Sequence, residues 1–188
     1  MAWLRVFVFA VVSLVLTRAD VAADVLDRSA SGFTVKTVVA VAATPQRIYQ
    51  DLLNPGSWWD KDHTYSGDPK NMTLIAQPGG CFCEKLPGGG AVEHGRVVNV
   101  SPDKLIRLSS ALGPLQELAV TGTLTWSIGP AKQGSGTTLT MTYAAGGYAP
   151  GGLDKLADIS LQHIRHIIAH QGGVIEKAFP AQQLGRVL

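Results

Sequence analysis

The chain holds only two cysteines in 188 residues, Cys81 and Cys83, so no disulfide framework organises it. Charge is sparse, at 16% of residues, and nearly balanced at a net +2. Lys and Arg form no run, which argues against a nucleic-acid partner. No apolar stretch has the length of a comfortable membrane span. There is no phosphate-binding loop, no G-x-S-x-G and no Cys/His pair with a local catalytic signature. No cofactor is therefore expected. Repeats and linkers are missing too, and 46% hydrophobic residues over this length fit one domain with a real core.

The N-terminus has a different plan. Arg5 and the free amine precede an apolar run, Val6 to Leu16, broken only by Ser13. Val21-Ala22-Ala23 then places small residues where a signal peptidase reads, so residues 1–23 have the layout of a secretory signal peptide. Cleavage after Ala23 removes Arg5, Arg18 and Asp20 and takes the net charge from +2 to +1. The expected product is periplasmic or secreted, with no stable membrane span. Export permits disulfides. Two positions apart on an extended strand, however, Cys81 and Cys83 have Cα atoms roughly 6.5–7 Å apart, at the limit for a bridge. Two free thiols, or a strained and redox-labile pair, are expected, packed as small hydrophobes on one strand face.

Residues 24–32 read as a polar leader, 33–180 as one domain and 181–188 as a tail. Phe33 to Ala42 reads as a strand, with Phe33, Val35, Val39 and Val41 on one face. Thr44-Pro45 is a helix start, and the helix stops at Asn54-Pro55-Gly56. A meander of short strands comes next: 72–77, 80–86, 91–100 and 104–111. Val120, Gly122, Leu124, Trp126 and Ile128 then alternate with Thr and Ser, as do Leu139, Met141 and Tyr143. Clean alternation means an antiparallel sheet with one buried face. Leu153, Leu156, Ala157, Ile164, Ile167 and Ile168 form one stripe of a long final helix that stops at Gly172-Gly173. The sheet's apolar face and the helix's stripe must cover each other. A twisted sheet curls, so a helix across it leaves a gap suited to a small ligand.

Between the first helix and the meander lies Trp58-Trp59-Asp60-Lys61-Asp62-His63-Thr64-Tyr65-Ser66-Gly67-Asp68, a polar segment with adjacent tryptophans. Together with Thr44-Pro45, Ile48-Tyr49, Gly79-Gly80-x-Phe82 and the long final helix, it resembles the SRPBCC superfamily. That group includes START lipid-binding domains, polyketide cyclases and heat-shock-chaperone ATPase activators. The strings around His63 and Glu84 are similar to an exported bacterial branch. The resemblance implies an α+β helix-grip fold, a curved antiparallel sheet wrapped around the C-terminal helix, with a ligand cavity between them. It implies no shared catalytic residues. The signal peptide argues against a cytosolic chaperone partner.

The expected function is binding of a small hydrophobic or amphipathic ligand in that cavity, lined by Trp58, Trp59, His63, Tyr65, Phe82, Glu84, Trp126 and Tyr143. One alternative is a cyclase- or dehydratase-type enzyme using Glu84, His63 or His94 for proton transfer. Another is a protein-interaction module. Glu84 and His94 flank the Pro87–Gly90 hairpin, and the expected arrangement is a cross-strand pair on the wet face, with His94 sharing its face with Arg96 and Val98. His163, His166 and His170 lie along one line of the final helix, beside the apolar stripe rather than at its centre, so they are weak metal candidates and no metal is expected. Asp60, Asp62 and Asp68 do not match a calcium loop. The oligomeric state is open.

Overall fold

The computed structural model describes residues 21–131 and 136–169. Their strands are β1 (Val21–Ser29), β2 (Gly32–Val41), β3 (Met72–Leu74), β4 (Cys81–Lys85), β5 (Ala91–Ser101), β6 (Leu105–Ser109), β7 (Ala119–Pro130) and β8 (Thr137–Tyr148). The helices are α1 (Pro45–Leu52) and α2 (Ala157–Ala169). The strands make one curved antiparallel sheet in the order β1-β2-β8-β7-β6-β5-β4-β3. The class is α+β, with one long helix after the last strand.

Alternation sets the sheet's inner face. Leu124, Trp126 and Ile128 on β7 are buried, as are Leu139, Met141 and Tyr143 on β8. The register places Trp126 opposite Met141 and Leu124 opposite Tyr143. Phe33, Val35, Val39 and Val41 continue this apolar row on β2. On α1, Thr44 Oγ1 accepts the Arg47 N–H at 3.3 Å and Pro45 occupies the first turn, while Ile48, Tyr49 and Leu52 are buried. The helix packs toward β7.

Residues that read as a leader form β1. The strand pairs with β2 from Val21–Val39 to Ser29–Gly32. It is an edge strand, with Leu26 exposed and Val25 only partly buried, so it lacks the strong alternation of a two-sided strand. Pairs from Asp24–Lys36 onward lie beyond the expected cleavage point.

A single 3₁₀ turn, Asp154–Leu156, leads into α2. Leu153, Ala157 and Ile164 are buried, and α2 packs against β1 and β2. Arg28 on β1 and Asp158 on α2 meet at 2.8 Å on the surface. The far end of the stripe at Ile167 and Ile168, the stop at Gly172-Gly173 and the tail at 181–188 lie outside the described side chains and residues.

Candidate functional site

The segment after α1 folds as three single 3₁₀ turns, Pro55–Ser57, Lys61–His63 and Pro69–Asn71. Its carboxylates have local work. Asp60 accepts the Asp62 N–H at 2.7 Å, and Asp68 accepts the Lys70 N–H at 2.9 Å. Each caps a turn whose N–H groups would otherwise lack partners. Asp62 pairs with Lys61 in solvent.

Both tryptophans turn inward. The Trp58 indole N–H donates to the Asp51 carbonyl at 2.7 Å, and that of Trp59 donates to the His63 carbonyl at 2.9 Å. Their rings are 5.3 Å apart. Trp59 lies 5.2 Å from Phe82, and Trp126 lies 6.2 Å from Phe82 and 6.3 Å from Trp58, in edge-to-face contacts. The Trp126 N–H points at the Met141 sulfur, 3.0 Å away. Four expected lining residues thus form one aromatic cluster over β4 and β7. Their indole N–H groups are already satisfied, so the cluster is an apolar packing unit with no spare donor.

Glu84 and His94 lie beneath this cluster, at 0% and 3% exposure, which overturns the expected wet-face placement. The reason is one extra residue. Phe82 pairs with Gly95 and Cys83 with Glu93, so His94 is a bulge residue with no partner on β4. A bulge reverses the in–out parity of the strand beyond it. His94 therefore points inward while Arg96 and Val98 point outward, against the expectation that the three share a face.

The Glu84 carboxylate accepts from the Tyr65 N–H at 3.1 Å, the Ser66 N–H at 2.6 Å and His94 Nε2 at 2.9 Å. The loop is thereby tied to the sheet. Burial pushes the Glu84 carboxyl upward, but Ser66, through its side chain and N–H, the Tyr65 N–H and His94 together hold it below its usual value. Burial pushes the His94 imidazole down, and the Glu84 bond and charge offset this only in part. At neutral pH the pair is an ionised carboxylate and a neutral imidazole. An ionised carboxylate only accepts, so Nε2 carries the imidazole proton and Nδ1 carries the lone pair. A neutral imidazole oriented by a carboxylate is a competent general base. Tyr65, itself half exposed, places its ring 5.9 Å from His94.

Tyr143 stands apart from the aromatic cluster. Its ring meets Phe33 at 6.2 Å, and its hydroxyl accepts the Leu112 N–H at 3.1 Å and donates to the Ser110 carbonyl at 3.3 Å. Ser110 in turn donates its hydroxyl to the His94 carbonyl at 2.5 Å. Ser110 therefore links Tyr143 to the bulge. The sequence signal for it is two glycines within strands, Gly95 and Gly122, which mark close approach. A Cβ on Gly95 would sit 3.0 Å from Ser110, and one on Gly122 2.9 Å from the Tyr143 hydroxyl. A second residue that the sequence pattern does not single out is Thr37 on β2. It is fully buried, and its hydroxyl has no hydrogen-bond partner among the described residues.

His63 reaches toward Asp60 at 3.7 Å and contacts the ring of His163 on α2 at 5.1 Å. This contact joins the loop to α2. His163 is exposed beside buried Ile164, flanking the apolar stripe. The side chains of His166 and His170 lie outside the described residues. Cys81 and Cys83 form a disulfide, so of the two expected states, free thiols or a bonded pair, the structure has the bonded one. Their Cα atoms are 5.4 Å apart, within bridging range, at the point where the bulge increases the local twist. A shallow groove of about 400 Å³ lies elsewhere, between Ala42–Pro45 and Gly136-Thr137.

No family model and no curated protein matches the chain. Solved structures do. A protein of unknown function from Staphylococcus aureus superposes with a TM-score of 0.55 at 10% identity, covering 78% of this chain and 95% of that one. The Mll3558 protein from Rhizobium loti superposes with a TM-score of 0.51 at 18% identity, covering 81% and 99%. The di-domain ARO/CYC StfQ from the steffimycin biosynthetic pathway superposes at 0.47 with 17% identity, covering 85% of this chain and 54% of that one. At these identities the likeness to the first two is one of fold.

Proposed function

We propose that this chain is an exported helix-grip protein that binds a small hydrophobic or amphipathic ligand between its sheet and α2. The carrying observation is Thr37. Its hydroxyl is fully buried on an apolar inner face, in the row of Phe33, Val35 and Val39, and has no partner among the described residues. A buried hydroxyl left unbonded costs about 1–3 kcal/mol. A ligand with one polar group would relieve that cost while its apolar body buries against the row. The loop–α2 contact at His63 and His163 gives such a space a rim, and the Glu84 tether holds the rim in place. The proposal includes export and the eight lining residues named from the sequence, and it requires no cofactor.

The test uses cis-parinaric acid, a fluorescent fatty acid, as an amphipathic probe. Saturable 1:1 binding is expected. Thr37→Val, similar in shape but without the hydroxyl, should stabilise the free protein by about 1–3 kcal/mol and weaken the probe. Non-saturable binding, or a variant that binds as tightly as the wild type, contradicts the proposal.

The Glu84–His94 pair favours a second reading, an acid/base enzyme of cyclase or dehydratase type in the same space. His94 Nδ1 would take the proton and Glu84 would orient the ring and stabilise the imidazolium. The readings separate on His94→Gln, which leaves probe binding intact in a binder and abolishes turnover of bound substrate in an enzyme.

A further inference from the structure

Cys81 and Cys83 sit half-buried on the outer face of β4, opposite the face that carries Phe82 and Glu84. Across the ladder, Glu93 pairs with Cys83 and Arg96 with Cys81. The bulge that turns His94 inward leaves the Glu93 carboxylate outside. One Glu93 oxygen lies 4.0 Å from the Cys81 sulfur. Both sulfurs and that carboxylate lie within 4.8 Å of one another. Arg96 pairs with that same Glu93 oxygen and donates to the Gly79 carbonyl at 3.0 Å.

A bridge across one intervening residue closes a very short loop, so it removes little entropy from the unfolded chain. Its stabilising value is small, and what it controls is access to two sulfurs. We propose that Cys81, Cys83 and Glu93 form a reduction-gated site for a thiophilic divalent metal ion such as Zn²⁺. Two molecules of a small thiol reduce the bridge: each gives one electron and one proton, the S–S bond breaks to two thiols, and the small thiols leave joined as their own disulfide. The metal then displaces the two thiol protons and the Arg96 guanidinium from that Glu93 oxygen, and binds two thiolates and the freed oxygen. A solvent molecule completes four-coordination on the exposed side. Thiolates select zinc-like ions over calcium or magnesium. With the bridge closed, the sulfurs have no charge to offer and the site is off.

Cobalt(II) reports this geometry through its thiolate-to-metal charge-transfer absorption. The full chain, reduced and freed of reductant without air, should take up one Co²⁺ with that absorption, and Zn²⁺ should bleach it. The oxidised chain should show none. Cys81→Ser and Cys83→Ser should each remove the charge-transfer signal of the dithiolate. Glu93→Gln, at an exposed position, should weaken binding about tenfold or more. His163→Gln should change nothing. Reduced wild-type protein without the absorption overturns the proposal, as does uptake that survives Cys83→Ser or disappears with His163→Gln. The wild-type comparison of oxidised and reduced chain needs no variant to fold.

Discussion

Glu84→Gln removes one oxygen's charge from a fully buried carboxylate that accepts three hydrogen bonds, and the consequence can be worked from geometry. One oxygen takes the Ser66 N–H at 2.6 Å, the other the Tyr65 N–H at 3.1 Å and His94 Nε2 at 2.9 Å. Gln keeps the shape but puts an NH₂ where one oxygen stood. In one orientation the NH₂ faces the Ser66 N–H. In the other it faces the Tyr65 N–H, while His94 changes tautomer to accept. Either way one buried donor is orphaned, at about 1–3 kcal/mol. The surviving bonds lose their charge assistance, about 1 kcal/mol more. The expected destabilisation is about 2–4 kcal/mol, and it should appear first in the loop. Native-state hydrogen exchange is the assay. A local loss of about 2 kcal/mol speeds exchange at Tyr65 and Ser66 about thirtyfold. Unchanged protection at both amides would refute the tether, even if the urea midpoint fell.

Three further outcomes rest on the same geometry. The Glu84 and His94 groups both titrate below their ordinary values of 4.5 and 6.5 in the folded chain. The unfolded chain then binds more protons, so stability is complete above pH 6.5 and falls as pH drops, first through His94 and then through Glu84. Thermal midpoints across about pH 4–7 check this, and His94→Gln should flatten the upper part of the slope. Gly122→Ala brings a Cβ to 2.5 Å from the Ser110 carbonyl and 2.9 Å from the Tyr143 hydroxyl. It should cost about 1–3 kcal/mol by urea denaturation; an unchanged midpoint contradicts the packing. N-terminal sequencing of exported protein should begin at Asp24; a start at Met1 would refute signal cleavage.

The fold is legible in the sequence where one face is buried and the other wet. On β7 and β8 the burial pattern tracks the Thr/apolar alternation residue by residue, because both neighbours in the sheet hold the register. The α1 cap is legible because Thr44-Pro45 is a local signal. β1 is hidden because an edge strand buries little, and because Val21-Ala22-Ala23 reads as a cleavage site while Val25 and Leu26 sit side by side with no alternation. The inward turn of His94 is hidden for a different reason. One bulge residue reverses parity, and the only local hint is Gly95 next to it, a strand glycine that does not say which neighbour is the extra residue. The choice between free and bonded cysteines at 81 and 83 is hidden with it, since the ideal strand spacing does not hold where the ladder shifts. Trp58, Trp59, Phe82 and Trp126 come together as the aromatic content of the loop implied, but the indole N–H groups of Trp58 and Trp59 serve the backbone. Thr37 lies on the inner-face parity of β2 in plain view. It is unmarked because Thr is common on the wet face, and only burial distinguishes the two.

The proposed ligand role requires that a small molecule be held between the sheet and α2. Native mass spectrometry of the protein purified without denaturant from the cell envelope or medium addresses this without any variant. A ligand carrier should appear as a mature chain beginning at Asp24 with one discrete small-molecule adduct, lost on organic extraction and regained when the extract is added back. A bare chain under the same conditions, with an extract that restores nothing, would contradict it.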